Sequence, residues 1–507
     1  MEEPLRVLLV NSNLKGDILA APPIGMFYVA KAAQDAGHEV RALDLCFKHD
    51  ARGALEAEMK RFVPDVIGFS IRNLDNCNLL HPVSYLPEVA QLVRYVREIS
   101  QGVIVLGGSG ASLCPEEVLR LLEADYIVVS EGETSFVALL KALENGGSPG
   151  IMGEIPGVGW IETEGFHLTP PRMTDSSFGH SGASRWIDLE PYRKIGGSYP
   201  IQTKRGCPQR CIYCTYNQVL EGQTLKLRDP EDVIEEIEEA YRRFKPDTFE
   251  FVDSVFNAPV DHCVALLEGL IRRPWKANLT AMGVSPRCLD QGILDLMWRA
   301  GFRSFMMSPE SASDAMLTSY QKGFDKDVLI HATEAVNRSR FTVFWYFLLG
   351  GPGENRDTVH ETLDFVTRYL TGGRRGPYHI AHFFLGVRLY PATKLWRLAW
   401  EEGLIHRGSN PLEQLWYVSP QLDLDETLAA LTQLTATHPE VVLGTIERLL
   451  PFTKVLTRVG KLLRIPKPYW RHTSGVNFLL IKLGLHRSSQ PAAIAARIRE
   501  CLGRQRH

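Results

Sequence analysis

The stretch Lys204-Arg205-Gly206-Cys207-Pro208-Gln209-Arg210-Cys211-Ile212-Tyr213-Cys214 places three cysteines within eight positions of one loop. Thiolates at this spacing can reach a single metal centre. A structural zinc site requires four ligands, and no fourth Cys or His follows at zinc-finger spacing. An iron–sulfur cluster held by three thiolates leaves one iron atom open to bind a substrate directly. The loop therefore predicts an iron–sulfur centre, with Cys207, Cys211 and Cys214 as its metal ligands.

The cysteine loop follows the first strand of a regular series. Across residues 198–400, β-rich apolar runs alternate with amphipathic helical patterns, which predicts a partial barrel of six βα units. Asp229 and Pro230 are typical of the start of a helix in this series. Parallel barrels carry their chemistry at the carboxyl ends of their strands, which is where the loop lies. The predicted strands are Pro200–Lys204, Thr248–Asp253, Asn278–Gly283, Ser304–Ser308, Thr342–Leu349 and His379–Arg388.

Residues 1–145 show the same alternation and predict a doubly wound α/β domain, with a parallel sheet covered by helices. Such sheets bind ligands in the loops beyond the carboxyl ends of their strands. The predicted strands are Arg6–Asn11, Val40–Asp44, Val66–Ser70, Val103–Gly107 and Tyr126–Ser130. The predicted helices are Ile24–Ala36, Leu86–Ile99, Pro115–Glu123 and Thr134–Asn145.

The remaining segments show weaker patterns. Residues 146–197 are rich in Gly, Pro and Ser and are predicted to be a linker, with a hairpin at Val158–Leu168. Residues 401–507 have a helical pattern with no obvious strand series, and we expect a helical C-terminal domain.

Composition limits the class of protein. The 507 residues carry a formal net charge of −3, with 45% hydrophobic and 23% charged residues, which is typical of a protein with ordinary cores. Disorder, collagen-like repeats and a disulfide miniprotein are excluded. No uncharged apolar run reaches the roughly 18 residues of a membrane span, and the first residues lack a cleavable signal pattern. We expect a soluble, cytoplasmic protein without a nucleic-acid partner.

The C-terminal region is locally basic. From Arg448 to Arg499 there is no Asp or Glu, while cationic residues recur among apolar ones. A basic amphipathic segment can lie on an anionic membrane surface or hold an anionic substrate, although a solvated face on a helical cap gives the same pattern. We therefore expect a small-molecule or lipid-like substrate and peripheral contact with the inner membrane surface. The cations are Lys454, Arg458, Lys461, Arg464, Lys467, Arg471, Lys482 and Arg487.

The cysteine loop resembles the signature of the radical S-adenosylmethionine (SAM) family, Cys-x-x-x-Cys-x-aromatic-Cys, with Tyr213 as the aromatic residue. The resemblance implies a [4Fe–4S] cluster whose open iron chelates the amino and carboxylate groups of SAM. One-electron reduction by an external low-potential donor would release methionine and a 5′-deoxyadenosyl radical. That chemistry belongs to the cofactor, and the barrel positions it.

Later barrel segments resemble SAM contacts of the same family. Asp253 ends the second strand, where relatives offer polar groups to the SAM amino group. Glu310 and Ser311 are similar to a fourth-strand motif that binds ribose or the methionine moiety. Gly350 and Pro352 resemble a turn beside adenine. Asp253 and Glu310 also suit helix caps or loop acids, and Gly350 suits any turn that needs a positive φ.

The amino-terminal section resembles the Rossmann-like cobalamin-binding domain that precedes many radical SAM barrels. Small residues at strand ends let a bulky corrin approach the backbone. The Asp-x-His-x-x-Gly motif of other cobalamin proteins is missing, so no histidine can be assigned as the lower cobalt ligand. Arg72 and Asn73 are candidates for that face, although they also suit a loop that bonds to its own backbone. The predicted cobalamin contacts are Gly107, Gly108, Ser109, Glu131, Gly132 and Thr134.

Together these resemblances imply a cobalamin-dependent methyltransferase. One SAM would supply a methyl group to cobalamin, and a second would yield the radical that removes hydrogen from an unactivated carbon before methyl transfer. The runner-up is a cobalamin-binding cyclase, oxidase or rearrangement enzyme without methyl transfer. A cobalamin sensor has no need of an open-site cluster. A transfer-RNA methylthiotransferase requires a second triad, for which Cys46, Cys77 and Cys114 are the available cysteines.

Several aromatic and basic barrel residues have two interpretations. Trp345, Tyr346, Phe383 and Phe384 suit a substrate cavity, but aromatic residues in barrel strands more often belong to the core. Arg388 and Tyr390 suit either a contact with substrate or SAM or a structural role at the end of the barrel. A nicotinamide-binding domain is disfavoured because no Gly-x-Gly-x-x-Gly follows the first strand.

Overall fold

The computed structural model describes residues 3–15, 20–146, 149–172, 178–372, 378–444, 459, 460, 462 and 491–505. Two seven-stranded sheets form its framework, one in the amino-terminal part and one in the middle of the chain. Helices cover both sheets.

The amino-terminal sheet has the strand order β2-β1-β3-β4-β5-β6-β7, and its first five strands are parallel. Alternate residues of β1 enter different cores: Val7 and Leu9 pack on one face of the sheet, and Leu8 and Val10 pack on the other. This arrangement confirms the doubly wound domain. The strands are β1 (Arg6–Asn11), β2 (Glu39–Asp44), β3 (Val66–Ser70), β4 (Val103–Gly107), β5 (Tyr126–Val128), β6 (Val158–Glu162) and β7 (Gly165–Leu168).

Four helices connect the parallel strands of this domain, and a fifth follows β5. One of them, α2, was absent from the sequence prediction, and it begins after Asp50, whose carboxylate accepts the Gly53 N–H at 2.8 Å. The helices are α1 (Ile24–Asp35), α2 (Ala51–Phe62), α3 (Leu86–Ile99), α4 (Pro115–Leu122) and α5 (Gly132–Glu144).

The segment expected to be a linker contributes to this sheet. Strand β6 pairs antiparallel with β5, and β7 pairs antiparallel with β6. The predicted hairpin therefore covers a strand edge that would otherwise expose unpaired backbone groups. Three short helices complete the segment: α6 (Pro149–Met152), α7 (Ala183–Trp186) and α8 (Glu190–Ile195).

The second sheet is the predicted partial barrel. All its strands are parallel, in the order β18-β15-β14-β13-β12-β11-β8. Its strands are β8 (Tyr199–Ile201), β11 (Thr248–Phe251), β12 (Asn278–Ala281), β13 (Phe302–Glu310), β14 (Thr342–Leu349), β15 (Tyr378–Leu385) and β18 (Val441–Leu443). Its helices are α9 (Pro230–Phe244), α10 (Val260–Arg272), α11 (Gln291–Ala300), α12 (Asp314–Ser319), α13 (Lys326–Asn337), α14 (Arg356–Tyr369) and α15 (Lys394–Glu401).

The C-terminal region is less purely helical than its pattern predicts. Strand β18 adds a seventh strand to the barrel sheet beside β15, and β17 (Trp416–Tyr417) pairs with β16 (Val387–Arg388). Strands of two or three residues are too short for sequence periodicity to identify. Helices α16 (Leu424–Thr437) and α17 (Pro491–Arg504) pack together.

Most of the basic segment, with all eight cations named above, lies outside the described residues. Where the chain is described, no helix combines the length and the apolar character needed to cross a membrane.

Candidate functional site

The cysteine loop leaves the barrel through a small hairpin of β9 (Lys204–Arg205) and β10 (Lys226–Leu227). Gly206, just before Cys207, has φ +88°, and a Cβ there would lie 2.1 Å from the Thr224 carbonyl oxygen. Only glycine fits this close approach.

Polar side chains fix the rest of the loop. Glu221 accepts the Gly206 N–H at 3.0 Å, and Asn217 donates to the Gln209 carbonyl at 2.8 Å. The Gln218 amide donates to the carbonyls of Cys211 and Cys214, at 3.0 and 3.1 Å. These bonds hold the loop backbone without using the thiols, of which Cys211 lies 3.6 Å from the Gln209 side-chain oxygen.

The three thiols line one cavity of about 540 Å³. Burial raises the pKa of Cys207 to about 11 and also raises the pKa of Cys214. Cys207 and Cys214 therefore hold their protons until a metal displaces them. Across the described parts of the chain, no group of three or more Cys, His, Asp or Glu side chains is placed to hold a single metal ion. The cysteine donor set fits a cluster better, because each thiolate of a cluster binds its own iron atom.

Glu310 lies beside the cysteine loop in a buried network. The Tyr213 hydroxyl donates to the Glu310 carboxylate at 2.8 Å, and the Lys322 ammonium donates to the Tyr213 oxygen at 3.1 Å and to the Ser308 carbonyl at 2.7 Å. All four residues line the cavity. Glu310 has φ +67° at an irregularity of β13, the kind of backbone strain that concentrates at functional sites.

Lys322 is a site residue that the sequence did not indicate. Burial lowers the pKa of its ammonium, but the charges of Cys211 and Glu310 outweigh that effect and raise the pKa overall. The lysine therefore places a positive charge next to the cluster loop. It follows α12 in a connecting segment without a recognisable motif, so only the folded chain brings it here.

Asp253 lines the cavity, but its oxygens are engaged. They accept the Thr203 N–H at 2.7 Å, the Thr203 hydroxyl at 2.6 Å and the Lys204 N–H at 3.2 Å. The carboxylate thereby fixes the start of the β9–β10 hairpin, which carries the cysteine loop.

Three other predicted SAM contacts lie away from the cavity. The Ser311 hydroxyl shares a hydrogen bond of 2.9 Å with that of Thr362. The Gly350 N–H donates to Glu354 at 3.1 Å, with φ +96° at the glycine, and the Pro352 carbonyl accepts the Ser319 hydroxyl at 2.6 Å. Each of the three residues thus has a hydrogen bond within the chain, and the positive φ of Gly350 fits the turn that the sequence left open as its alternative.

Most of the predicted cobalamin contacts line the same cavity as the thiols. They follow neighbouring parallel strands, so they meet at one edge of the amino-terminal sheet. Gly107 has room for a Cβ, with the Val128 carbonyl oxygen at 3.7 Å as its nearest neighbour, whereas at Gly108 a Cβ would lie 2.6 Å from the Ile71 oxygen. The cavity-lining members of the predicted set are Arg72, Gly107, Gly108, Ser109, Glu131 and Gly132.

Two members of that set do not line the cavity. Asn73 and Thr134 are exposed and lie outside the cavity wall. Arg72 is also exposed, but it is part of the wall, and its carbonyl accepts the Ser109 hydroxyl at 2.9 Å.

Glu131 links the two domains. Its carboxylate accepts two hydrogen bonds from the Lys226 ammonium, at 2.7 and 2.8 Å, and the Arg205 guanidinium lies 3.9 Å away. Arg205 also pairs with Glu133, and its guanidinium stacks over the Phe178 ring at 4.2 Å. This buried ion-pair cluster fastens the cysteine hairpin to the start of α5.

The Lys226–Glu131 pair gives a test of that link. Replacing Lys226 with methionine leaves a buried carboxylate short of its main partner, and we expect a loss of about 3 kcal/mol in the free energy of unfolding. Thermal and denaturant unfolding of Lys226→Met would be compared with those of Lys141→Met, which removes an exposed lysine from α5. Equal stability of the two variants would show that the pair does not hold the domains together.

A second interdomain contact involves Arg388 and Tyr390 at the end of the barrel, for which the sequence allows two interpretations. Arg388 donates to Asp75 at 3.0 Å and to the Pro411 carbonyl at 2.6 Å, and the Tyr390 hydroxyl lies 3.2 Å from the Cys77 sulfur. Neither Arg388 nor Tyr390 lines the cavity, so the geometry supports the structural role. Cys77 is engaged here, and neither Cys46 nor Cys114 lines the cavity, so the structure brings no second cysteine triad to it.

The cavity therefore has two walls of different chemistry. Cluster-type thiols and a buried Lys–Glu–Tyr network form the barrel wall, and glycine-rich strand ends form the other. Each wall fits one of the cofactors that the sequence predicts. The thiols suit an iron–sulfur cluster, and the small residues beside open space suit the large planar ring of cobalamin.

Comparison with known proteins gives a family to each half. The family model "B12 binding domain" matches residues 10–140, and "Radical SAM superfamily" matches residues 201–366, which together are more than half of the chain. An uncharacterized methyltransferase of Pyrococcus horikoshii is 22% identical over 76% of this chain and 80% of its own length. A tryptophan 2-C-methyltransferase of Streptomyces laurentii is 22% identical over 76% of this chain and 73% of its own length.

A solved structure shares the whole fold. The radical SAM methyltransferase TsrM from Kitasatospora setae, with cobalamin and a [4Fe–4S] cluster bound, superposes with a TM-score of 0.81 at 23% identity. The match covers 98% of this chain and 100% of that one.

Proposed function

The chain is a cobalamin-binding radical SAM enzyme, and from that premise we propose that it transfers a methyl group to an unactivated carbon of a small molecule. The observation that carries the proposal is the single cavity lined by the three cluster thiols and by the glycine-rich strand ends of the B12-binding domain. When bound, the cluster and SAM supply a hydrogen-abstracting radical, and cobalamin supplies the methyl group.

The residues of the chain have separate tasks in this proposal. Cys207, Cys211 and Cys214 bind the cluster, and Asp253 holds the hairpin that presents them. Lys322 and Glu310 offer one positive and one negative group, which suit the carboxylate and ammonium of a SAM methionine moiety. Tyr213 holds the Glu310 carboxylate in place through its 2.8 Å hydrogen bond.

On the opposite wall, the chain leaves space rather than providing many polar groups. Gly107 and Gly132 present only backbone to the cavity, which lets a corrin approach closely. We assign Arg72 to the lower face of that ring. Its side chain lines the cavity, and no histidine is among the described residues that line it.

The relatives support methyl transfer over the runner-up. The two curated relatives described above are both methyltransferases by name, and one of those names specifies a carbon of tryptophan. A small-molecule substrate is therefore supported. Ring closure or oxidation without methyl transfer is less supported. An external low-potential electron donor is needed because the cluster must be reduced before it cleaves SAM.

The proposal is tested with substrate mixtures. The anaerobically reconstituted holoenzyme is incubated with a cell extract, SAM labelled with deuterium on its methyl group, and a low-potential reductant. Mass spectrometry should find a product that carries the labelled methyl only when cobalamin is present. A product that loses hydrogen without gaining the label would instead favour the cyclase or oxidase. Glu268→Gln, an exposed change on α10, is the matched control for protein quality.

Peripheral membrane contact and a lipid-like substrate remain a separate proposal, motivated by the basic segment from Arg448 onward. The full-length protein is expected to float with vesicles of anionic phospholipid and to remain unbound with neutral phosphatidylcholine vesicles. High salt should release it, because the attraction is electrostatic. Absence of binding to anionic vesicles at low salt would contradict membrane contact and leave the methyltransferase proposal intact.

A further inference from the structure

The barrel interior can be read from strand alternation. On β11, Phe249 and Phe251 are fully buried in the core, and Glu250 between them faces the opposite side of the strand. Glu250 pairs in register with Pro200 on β8 and with Thr280 on β12, which places it on an inner row of the barrel. Its side chain lines the same cavity as the cluster thiols.

Alternation also separates the aromatic residues of β14 and β15. Trp345 on β14 and Phe383 on β15 are completely buried in the core. The residue after each of them, Tyr346 and Phe384, is less buried and lies on the opposite, inner face of the sheet. Tyr346 and Phe384 have ring centroids 6.2 Å apart. The sequence could not separate these two pairs, because all four are aromatic.

The Glu250 carboxylate has no ion-pair or hydrogen-bond partner anywhere in the described ranges. Burial raises its pKa to about 7, and the charge of Arg72 opposes that shift without a bond between the two side chains. Around it, Pro200, Val252 and Met282 give the cavity an apolar wall. A carboxyl in such a place is costly unless a ligand supplies a donor.

Tyr346 lies on the inner face of β14, but it is not among the residues that line the cavity. Among the described residues, the one hydrogen-bond partner of its hydroxyl is the Met306 sulfur, at 3.8 Å, which is a weak acceptor. The Glu250 carboxylate, by contrast, lines the cavity without a partner and is surrounded by apolar side chains, and it therefore forms a recognition site for an amine.

We propose that Glu250 is the substrate anchor of this enzyme and that the substrate carries an ammonium or amine group, which binds the Glu250 carboxylate inside the barrel. This assignment rests on the proposed function, since it takes the cavity as the substrate site. It excludes a carboxylate or phosphate at this end of the substrate, because that group would face a like charge in a poorly solvated space. The apolar and aromatic walls favour an amine on a hydrophobic or aromatic body.

The test uses two probes of similar shape and opposite charge, phenethylamine and 3-phenylpropionate. Their binding to the cobalamin- and cluster-loaded protein is measured by calorimetry without reductant, so that the result does not depend on turnover. The amine should bind the unaltered protein. It should bind Glu250→Gln at least about tenfold more weakly, since a charge-assisted hydrogen bond is lost. Glu268→Gln should bind it like the unaltered protein.

The outcomes separate the anchor from the proposed function. Absence of amine binding, equal binding to Glu250→Gln, or tighter binding of 3-phenylpropionate to the unaltered protein would overturn the anchor. Cobalamin content and cobalamin-dependent SAM turnover, measured on the same unaltered preparation, report on the methyltransferase proposal independently. Circular dichroism of Glu250→Gln checks its fold, and Glu250→Asp, which keeps the charge but shortens its reach, should recover part of the binding.

Discussion

Cys211→Ala is expected to assemble no catalytically competent cluster and to abolish all SAM cleavage. The loop supplies three thiolates, and removal of one leaves an incomplete ligand set for a cluster that already has an open iron. Iron and sulfide content, the visible absorption of the reconstituted protein and the yield of SAM-derived products measure the effect. We expect all three to fall to the level of protein that was never given iron.

A second cysteine provides the matched control for that loss. Cys501 lies on α17, half-buried and outside the cavity wall, so Cys501→Ala removes a thiol without touching the proposed ligands. It should take up iron and cleave SAM like the unaltered protein. A competent cluster in Cys211→Ala, or an equal loss in Cys501→Ala, would contradict the assignment of the ligands.

Gly107→Val is expected to weaken cobalamin binding about 10- to 100-fold while the protein still folds. A Cβ at Gly107 has the Val128 oxygen as its nearest neighbour, at 3.7 Å, and valine is well suited to the end of a strand. The added methyl groups therefore enter the cavity and compete with the ring, a steric conflict worth about 1–3 kcal/mol. Cobalamin retained after gel filtration and equilibrium dialysis report the affinity.

Substitutions at two other glycines show whether the loss of cobalamin binding is specific to Gly107. Gly108→Ala should destabilise the protein even without cobalamin, since its Cβ would lie 2.6 Å from a backbone oxygen at φ +97°. Gly503→Val on α17 adds the same side chain in open space and should keep full binding. Unchanged cobalamin affinity in Gly107→Val would place the ring elsewhere.

The sequence predicts the framework because the framework repeats. Five parallel strands of the first domain and six of the barrel appear within a few residues of their predicted positions, since each combines an apolar run with a following helix. Strand β18 escaped prediction because three residues carry no period, and it gains its strand conformation from the edge of β15. The 158–168 hairpin was predicted, but its pairing with β5 depends on tertiary packing.

The site divides in a similar way between local and long-range information. The cysteines and the glycines at strand ends lie in short motifs, so sequence reasoning reaches them. Lys322 and Glu250 belong to no motif and acquire their roles only from what folding places around them. Ser311 and Gly350, which resemble ligand contacts in sequence, hydrogen-bond to Thr362 and Glu354 and do not line the cavity. A turn that needs a positive φ leaves the same mark in a sequence as a turn that binds a cofactor.

The most direct test of the account is the simultaneous measurement of S-adenosylhomocysteine and 5′-deoxyadenosine from the anaerobically reconstituted protein, with SAM, a low-potential reductant, and cobalamin present or omitted. We predict cobalamin-dependent formation of both products, with none from Cys211→Ala. 5′-Deoxyadenosine alone, from protein that has cobalamin bound, would contradict methyl transfer and favour a radical cyclase or oxidase.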